Sequence, residues 1–428
     1  MEHTESGAIA DVERHVQAGR QVVADELEVP FYRPDLGQEE VNEVVATLRS
    51  GWLTTGPRVL RFEREFAEAV GAAYAVAVNS CTAALHLAVE ALGLEPNDAV
   101  LVPAMTFAAT AEVVRYQGAI PILVDCDPVT GNMDLGDAER KLALVETNHF
   151  SRIAADLKPV GIIPVHVGGL MMDVQLVQEF ASRHRLWVVE DAAHAFPAAW
   201  RTGIDKPWRR CGESSGAVTC FSFYANKTIT SGEGGMAVTN LEGIANRMRM
   251  MSLHGLTNDA WARYYGKSWD YKIVAPGFKY NLTDIAAAIG ASQLARAESM
   301  RRKREAVASR YFEELDDVVE IQLPHRDENR VHSWHLFPIR LNLERLSVNR
   351  NSFMEELKQA GVACSVHWRP LHLHPYYQEA FHWKPEDCPA ATTLWERLVS
   401  LPIFPGMLDR EVQHVIRTVR RTCACYGR

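Results

Sequence analysis

The chain has no feature of a membrane-spanning protein. No apolar stretch approaches 18 residues, and no basic segment followed by an apolar run opens it. It lacks an excess of positive charge. Lys and Arg number 45 against 54 Asp and Glu, for a net charge of −9, which argues against nucleic acid as the main partner. It lacks paired cysteines. The eight stand at 81, 126, 211, 220, 364, 388, 423 and 425, and none forms a CxxC zinc pattern. Reduced, mostly buried thiols in a cytoplasmic protein are the expectation. Repeats and low-complexity tracts are missing too. What is present is ordinary globular composition over 428 residues, enough for two lobes that share one site.

The stretch around which the chain is organised runs Thr219-Cys220-Phe221-Ser222-Phe223-Tyr224-Ala225-Asn226-Lys227-Thr228-Ile229-Thr230-Ser231-Gly232-Glu233-Gly234-Gly235-Met236. An apolar β-rich run gives way to a lysine among small polar residues. A glycine cluster follows, then the strand-like Met236–Thr239. A lysine in such a turn is often only solvated. Ser222, five residues earlier, is in reach of an anion, and Gly232, Gly234 and Gly235 let backbone pass close to a bound group. A lysine held near a phosphate and partly desolvated can lose its proton and form a Schiff base.

This segment resembles the lysine motif of the DegT/StrS group of pyridoxal-phosphate (PLP) aminotransferases acting on sugars, within fold type I. The resemblance covers the chain from about residue 30 to the C-terminus. It implies an α/β fold with a large, mostly parallel-sheet domain over 30–295 and a smaller α/β domain over 296–428, behind an extension at 1–29. The strand–helix alternation between 74 and 240 independently reads as a parallel sheet covered on both faces.

Other motifs fall in the order the family uses. Gly51-Trp52-Leu53-Thr54-Thr55-Gly56-Pro57 is a Gly-Pro turn between two helices, and in the family it lines the substrate site through Trp52, Thr54 and Thr55. A strand at 74–78 leads to Asn79-Ser80-Cys81-Thr82, where Ser80 or Thr82 can cap a helix whose free N–H groups suit a phosphate. The resemblance assigns that phosphate to the positions of Cys81 and Thr82, Cys81 being a small-residue variant of the usual Gly or Ser. Phe107 opens a helix region and matches the family's ring-stacking aromatic. Leu186–Asp191 is an apolar strand ending in acids, with His194 three residues on, and strand ends are where open α/β sheets hold ligands. The resemblance gives Asp191 the ring nitrogen and His194 the ring hydroxyl. Asn281 or Thr283 would cap a long helix from 285 to 304, and the family carries the 277–284 loop to a neighbouring subunit's cofactor phosphate. Lys279 and Asn281 occupy the pattern's two key positions, of which Asn281 is favoured. His367, His372 and His374 cluster without a carboxylate pair, on a Pro-spaced loop rather than a metal site. The family places this loop at the substrate pocket, with His367 the residue to test.

The resemblance thus implies a homodimeric transaminase. Lys227 would carry PLP, L-glutamate would donate, and a keto sugar, nucleotide-linked, would accept. A cyclitol aminotransferase is one alternative. Sugar dehydration is another, though its enzymes replace the lysine by His. A non-catalytic regulator on the same fold is a third. No metal, nucleic acid or membrane is expected.

Overall fold

The structure is a computed structural model that describes residues 27–147, 156–213, 216–257 and 270–428. Residues 1–26 of the expected extension, and residues 261–269 of a stretch rich in Trp and Tyr that reads as a loop, lie outside the described residues.

A seven-stranded sheet forms the centre. Its strands are β1 (Tyr74–Val78), β2 (Asp98–Pro103), β3 (Ile120–Val124), β4 (Lys158–Ile162), β5 (Trp187–Asp191), β8 (Val218–Ser222) and β9 (Gly235–Thr239), in the order β1-β9-β8-β5-β4-β2-β3. β9 pairs antiparallel with both β1 and β8, and every other pairing is parallel, so β9 alone runs against the rest. The strands are near-continuous apolar runs because helices cover both faces. Two short strands, β6 (Ala199–Trp200) and β7 (Arg209–Arg210), form a ribbon with β11 (Arg330–Val331). A smaller antiparallel sheet joins β10 (Ile321–Gln322), β12 (Phe337–Leu341) and β13 (Leu398–Leu401).

The helix Asp284–Leu315 ties the two sheets together. Thr283 caps it, its hydroxyl accepting from the Ala286 amide. Ala287, Ala291, Ala297 and Met300 pack into the core beneath the large sheet, and Val307, Ala308, Tyr311 and Leu315 pack into the core of the small one. The helix is eleven residues longer at its C-terminus than expected, and it runs unbroken through the division expected at 295–296.

Three other stretches differ from what their composition suggests. Gly161–Val165 reads as a strand, and β4 lies three residues earlier. Thr106–Thr110 reads as a helix start, and the helix begins at Ala109. Gly361–His367 reads as a strand, and only isolated bridges form there, Val29–Val362 and Ser365–Ser400. Gly361 has φ +78, and no ladder forms beyond it.

Candidate active site

Parallel strands end in one direction, and the chemistry collects at that end. Asp191 is the last residue of β5 and pairs in register with Cys220 of β8. Past Ser222 the chain turns through Lys227. Phe223 anchors the turn: its amide donates to Gly234 O (2.8 Å), and its carbonyl accepts from Ser231 N (3.0 Å) and Thr230 Oγ1 (3.0 Å). Gly232, with φ +82, closes it in the left-handed region that glycine tolerates.

Across β9 lies the start of helix Cys81–Ala91. Ser80 caps it, accepting from Ala83 N at 3.1 Å, so the cap is Ser80 and not Thr82. Ala84 makes the first intrahelical bond to Ser80 O, which leaves the amides of Cys81 and Thr82 ahead of the ladder. Gly235 lets this helix end approach. A Cβ there would lie 2.4 Å from the Ser80 carbonyl and 2.6 Å from Cys81 N.

These groups line a cavity of about 390 Å³. Cys81, Thr82, Phe107, Asp191, His194, Ser222, Lys227 and His367 all face it, so eight of the twelve expected site residues come together. Trp52, Thr54, Thr55 and Asn281 do not line it. They form their own cluster: Trp52 Nε1 donates to Thr55 O (3.0 Å), Asn281 Nδ2 to Thr55 Oγ1 (2.7 Å), and Asp284 N to Thr54 O (3.2 Å). A larger, more open cleft of about 700 Å³ beside Pro128, Arg340 and Arg397 gathers none of these twelve.

The cavity is strongly desolvating. Burial lowers the Lys227 amine to about 8, with Arg304 adding to the fall and Cys81 and Asp191 opposing it. Burial raises the Asp191 carboxyl, against the Thr110 hydroxyl (2.8 Å) and the Ala193 amide (3.1 Å) that hydrogen-bond it. His194 is held well below its ordinary value by burial and by Lys227, and its Nδ1 accepts from Gly168 N at 3.3 Å. His367, lowered to about 4 by burial, meets Ser400 Oγ at 2.9 Å and stacks on Phe31. Phe107 is 62% exposed and offers a bare ring to the cavity.

The sequence reading missed three residues. His335 Nε2 stands 3.3 Å from Lys227 Nζ. Trp368 stacks on His194, with ring centroids 5.0 Å apart. Thr110 holds Asp191. None sits in the family wording quoted for the lysine or the strand-end acids. His335 and Trp368 come from the small-sheet half of the chain, where only the fold brings them near.

A buried, easily deprotonated lysine, a buried acid at the neighbouring strand end and a helix N-terminus in one cavity suit a cofactor that forms a Schiff base and bears a phosphate. The chain belongs to the DegT/DnrJ/EryC1/StrS aminotransferase family, whose model matches residues 34–420. It is 42% identical over 394 residues to an uncharacterised protein of Methanocaldococcus jannaschii, covering 92% of this chain and 97% of that one. It is 39% identical over 394 residues to the spore coat polysaccharide biosynthesis protein SpsC of Bacillus subtilis, covering 92% and 96%. A Streptococcus pneumoniae protein described as a sugar aminotransferase, solved in its PLP form, superposes with a TM-score of 0.82 at 31% identity, covering 93% and 99%. The same protein is solved in its PMP form. This chain is therefore a PLP-dependent aminotransferase. Its residues fit the cofactor. Asn226 Oδ1 and His335 Nδ1 are buried polar atoms without partners at the cavity, and Gly235 admits no side chain between β9 and the helix end. Among the described residues no three His, Cys, Asp or Glu could hold a metal ion, and no helix is long and apolar enough to cross a membrane.

Proposed function

We propose that Lys227 carries the cofactor and that the enzyme moves an amino group from L-glutamate to the keto carbon of a nucleotide-linked sugar. The observation that carries this reading is the enclosure of the Lys227 amine and the Asp191 carboxylate in one cavity with an open helix N-terminus. Bound PLP supplies an electron sink that acidifies the donor's α-proton and stores the amino group between two half-reactions.

Each residue then has a task. Lys227 Nζ, neutral in an appreciable fraction near pH 8, takes and returns that proton. Asp191 holds positive charge at the ring nitrogen, in the orientation that Thr110 and Ala193 fix. His194 meets the ring hydroxyl, and Phe107 covers a ring face. The amides at Cys81 and Thr82, with the Ser222 hydroxyl, hold the phosphate. His367 borders the sugar.

Trp52, Thr54, Thr55 and Asn281 serve a second copy of the chain. Two facts support a homodimer. These four form a cluster outside their own cavity. The helix Gln38–Ser50 also buries Glu40 and Thr47 while exposing Val41, Val45 and Leu48 at 52%, 37% and 53%, an apolar stripe that suits a subunit contact. A nucleotide-linked acceptor accords with the likeness to a polysaccharide biosynthesis protein, because sugar polymers are built from sugars bearing a leaving group. The volume near 390 Å³ is in the range of small-molecule sites.

The test is turnover of glutamate to 2-oxoglutarate beyond one equivalent per enzyme only when a nucleotide-linked keto sugar is added, with parallel-line, two-step kinetics. Lys227→Ala should reduce it to background, and full activity in that variant would sink the scheme.

A further inference from the structure

We propose that His335 is a positioning residue for Lys227: it holds the ε-amine whenever the lysine is not committed to the cofactor. The inference rests on the reading of Lys227 as the cofactor lysine.

Among the described residues, His335 Nε2, at 3.3 Å, is the one hydrogen-bond partner of Lys227 Nζ. The turn that carries the histidine is anchored through its backbone and its neighbours. Trp334 turns the chain with φ 51, a left-handed value uncommon outside glycine, and so presents His335 ahead of β12. Leu336 N donates to Gly168 O (3.1 Å), and Ser333 N to Gly169 O (3.3 Å). Ser333 Oγ donates to His194 O (2.5 Å). From the long helix, the buried Arg304 donates through Nη1 to the carbonyls of Trp334 (3.2 Å), His335 (3.4 Å) and Ile403 (2.7 Å). So many anchors on one short turn fit a side chain whose direction matters.

Charge explains why a histidine suits the place. Facing Lys227 are Cys81 from its helix, Asp191 from β5, Arg304 from the long helix, and His194, His335 and His367. A carboxylate in van der Waals contact would hold the lysine as ammonium. His335 cannot. Burial, then Lys227, His194, Arg304 and His367, keep it well below its ordinary value and so uncharged near neutral pH. Its ring lies 4.2 Å from that of His194, which burial and Lys227 likewise hold well below its ordinary value. The ε-amine thus gains a direction without gaining a counter-ion.

Three full-length variants test this: His335→Gln, which keeps a polar atom at the position of Nε2; His335→Leu, which removes it; and His335→Glu, which supplies a charge. The readouts are the pH dependence of Lys227 acetylation by acetic anhydride in cofactor-stripped protein, followed by peptide mass spectrometry, and steady-state kcat and KM of the loaded enzyme. His335→Glu should move the lysine's labelling midpoint upward by a unit or more, cutting the rate at pH 7.5 by about tenfold. His335→Leu should lower kcat by about tenfold to a hundredfold with KM changed less than about threefold, and His335→Gln should restore most of that loss. A His335→Leu enzyme with wild-type kcat overturns the proposal, as does an unmoved labelling midpoint in a folded His335→Glu protein. If the Glu variant does not fold, the Leu and Gln pair decides through kcat. Borohydride reduction of the loaded wild-type enzyme separates the two readings. Cofactor mass on the Lys227 peptide with unresponsive His335 variants defeats the positioning role alone. Cofactor mass on another lysine defeats the parent reading.

Discussion

Asp191 shows how a residue acquires a function that its side chain alone does not specify. Burial raises its pKa, while Thr110 and Ala193 stabilise the ionised form and fix its two oxygens. Asp191→Asn keeps the shape and removes the charge. The expected result is a folded protein that still takes up PLP, with kcat lower by about two orders of magnitude, the loss typical of removing one preorganised electrostatic partner. Thr110→Val removes the hydroxyl that donates to the carboxylate, and should lower stability by about 1–3 kcal/mol in urea titrations. Lys227 makes the opposite kind of contribution. Its folded-state value of about 8 lies below the ordinary 10.5, so the unfolded chain binds more protons between those values. The lysine therefore penalises folding below pH 8, and the penalty fades as pH rises toward 10.5. Cofactor-free Lys227→Met should be more stable than the wild type by about 1–3 kcal/mol at pH 7, with a smaller advantage at pH 9.5. Chemical denaturation at the two pH values checks both the sign and the window.

Among the elements, the strand–turn–strand of β8, the lysine loop and β9 is where sequence and structure agree most closely. Apolar runs bounded by glycines are legible as strands, and the strand-end acid of β5 is legible from an apolar run ending in charge. Cys81–Ala91 was legible as a capped helix, with the cap resolved in favour of Ser80 by the Ala83 amide. His335 was not legible. Trp334–Arg340 reads as a strand, but β12 starts at Phe337, and the left-handed Trp334 makes a turn that no periodicity reports. The stretch 361–367 was β-rich in composition, yet strand formation depends on a partner edge, and only isolated bridges form. Gly235→Ala tests the packing of β9 against the helix end. The added carbon meets backbone of Ser80 and Cys81 that has no flexible end to yield. A stability loss of about 1–3 kcal/mol is expected, together with weaker PLP retention through dialysis.

Over the whole molecule, the helix Asp284–Leu315 couples the two cores: its first half packs under the large sheet, its second half joins the small one, and Arg304 on it reaches the His335 turn. The cavity is consequently built from both halves of the chain, which is why its small-sheet wall (His335, His367, Trp368) was only partly visible in sequence. The exposed stripe of Val41, Val45 and Leu48 predicts self-association. Sedimentation should give a dimer, and Val45→Glu with Leu48→Glu should shift it toward monomer with a fall in activity; a monomer that retains full activity would remove the shared-site proposal. Amino transfer from glutamate in this cavity is read from the absorbance spectrum of the PLP-loaded enzyme before and after L-glutamate. The expected result is a visible band that fades into the near-ultraviolet as 2-oxoglutarate accumulates in equal amount. A visible band that glutamate leaves unchanged, with no 2-oxoglutarate formed, would contradict it.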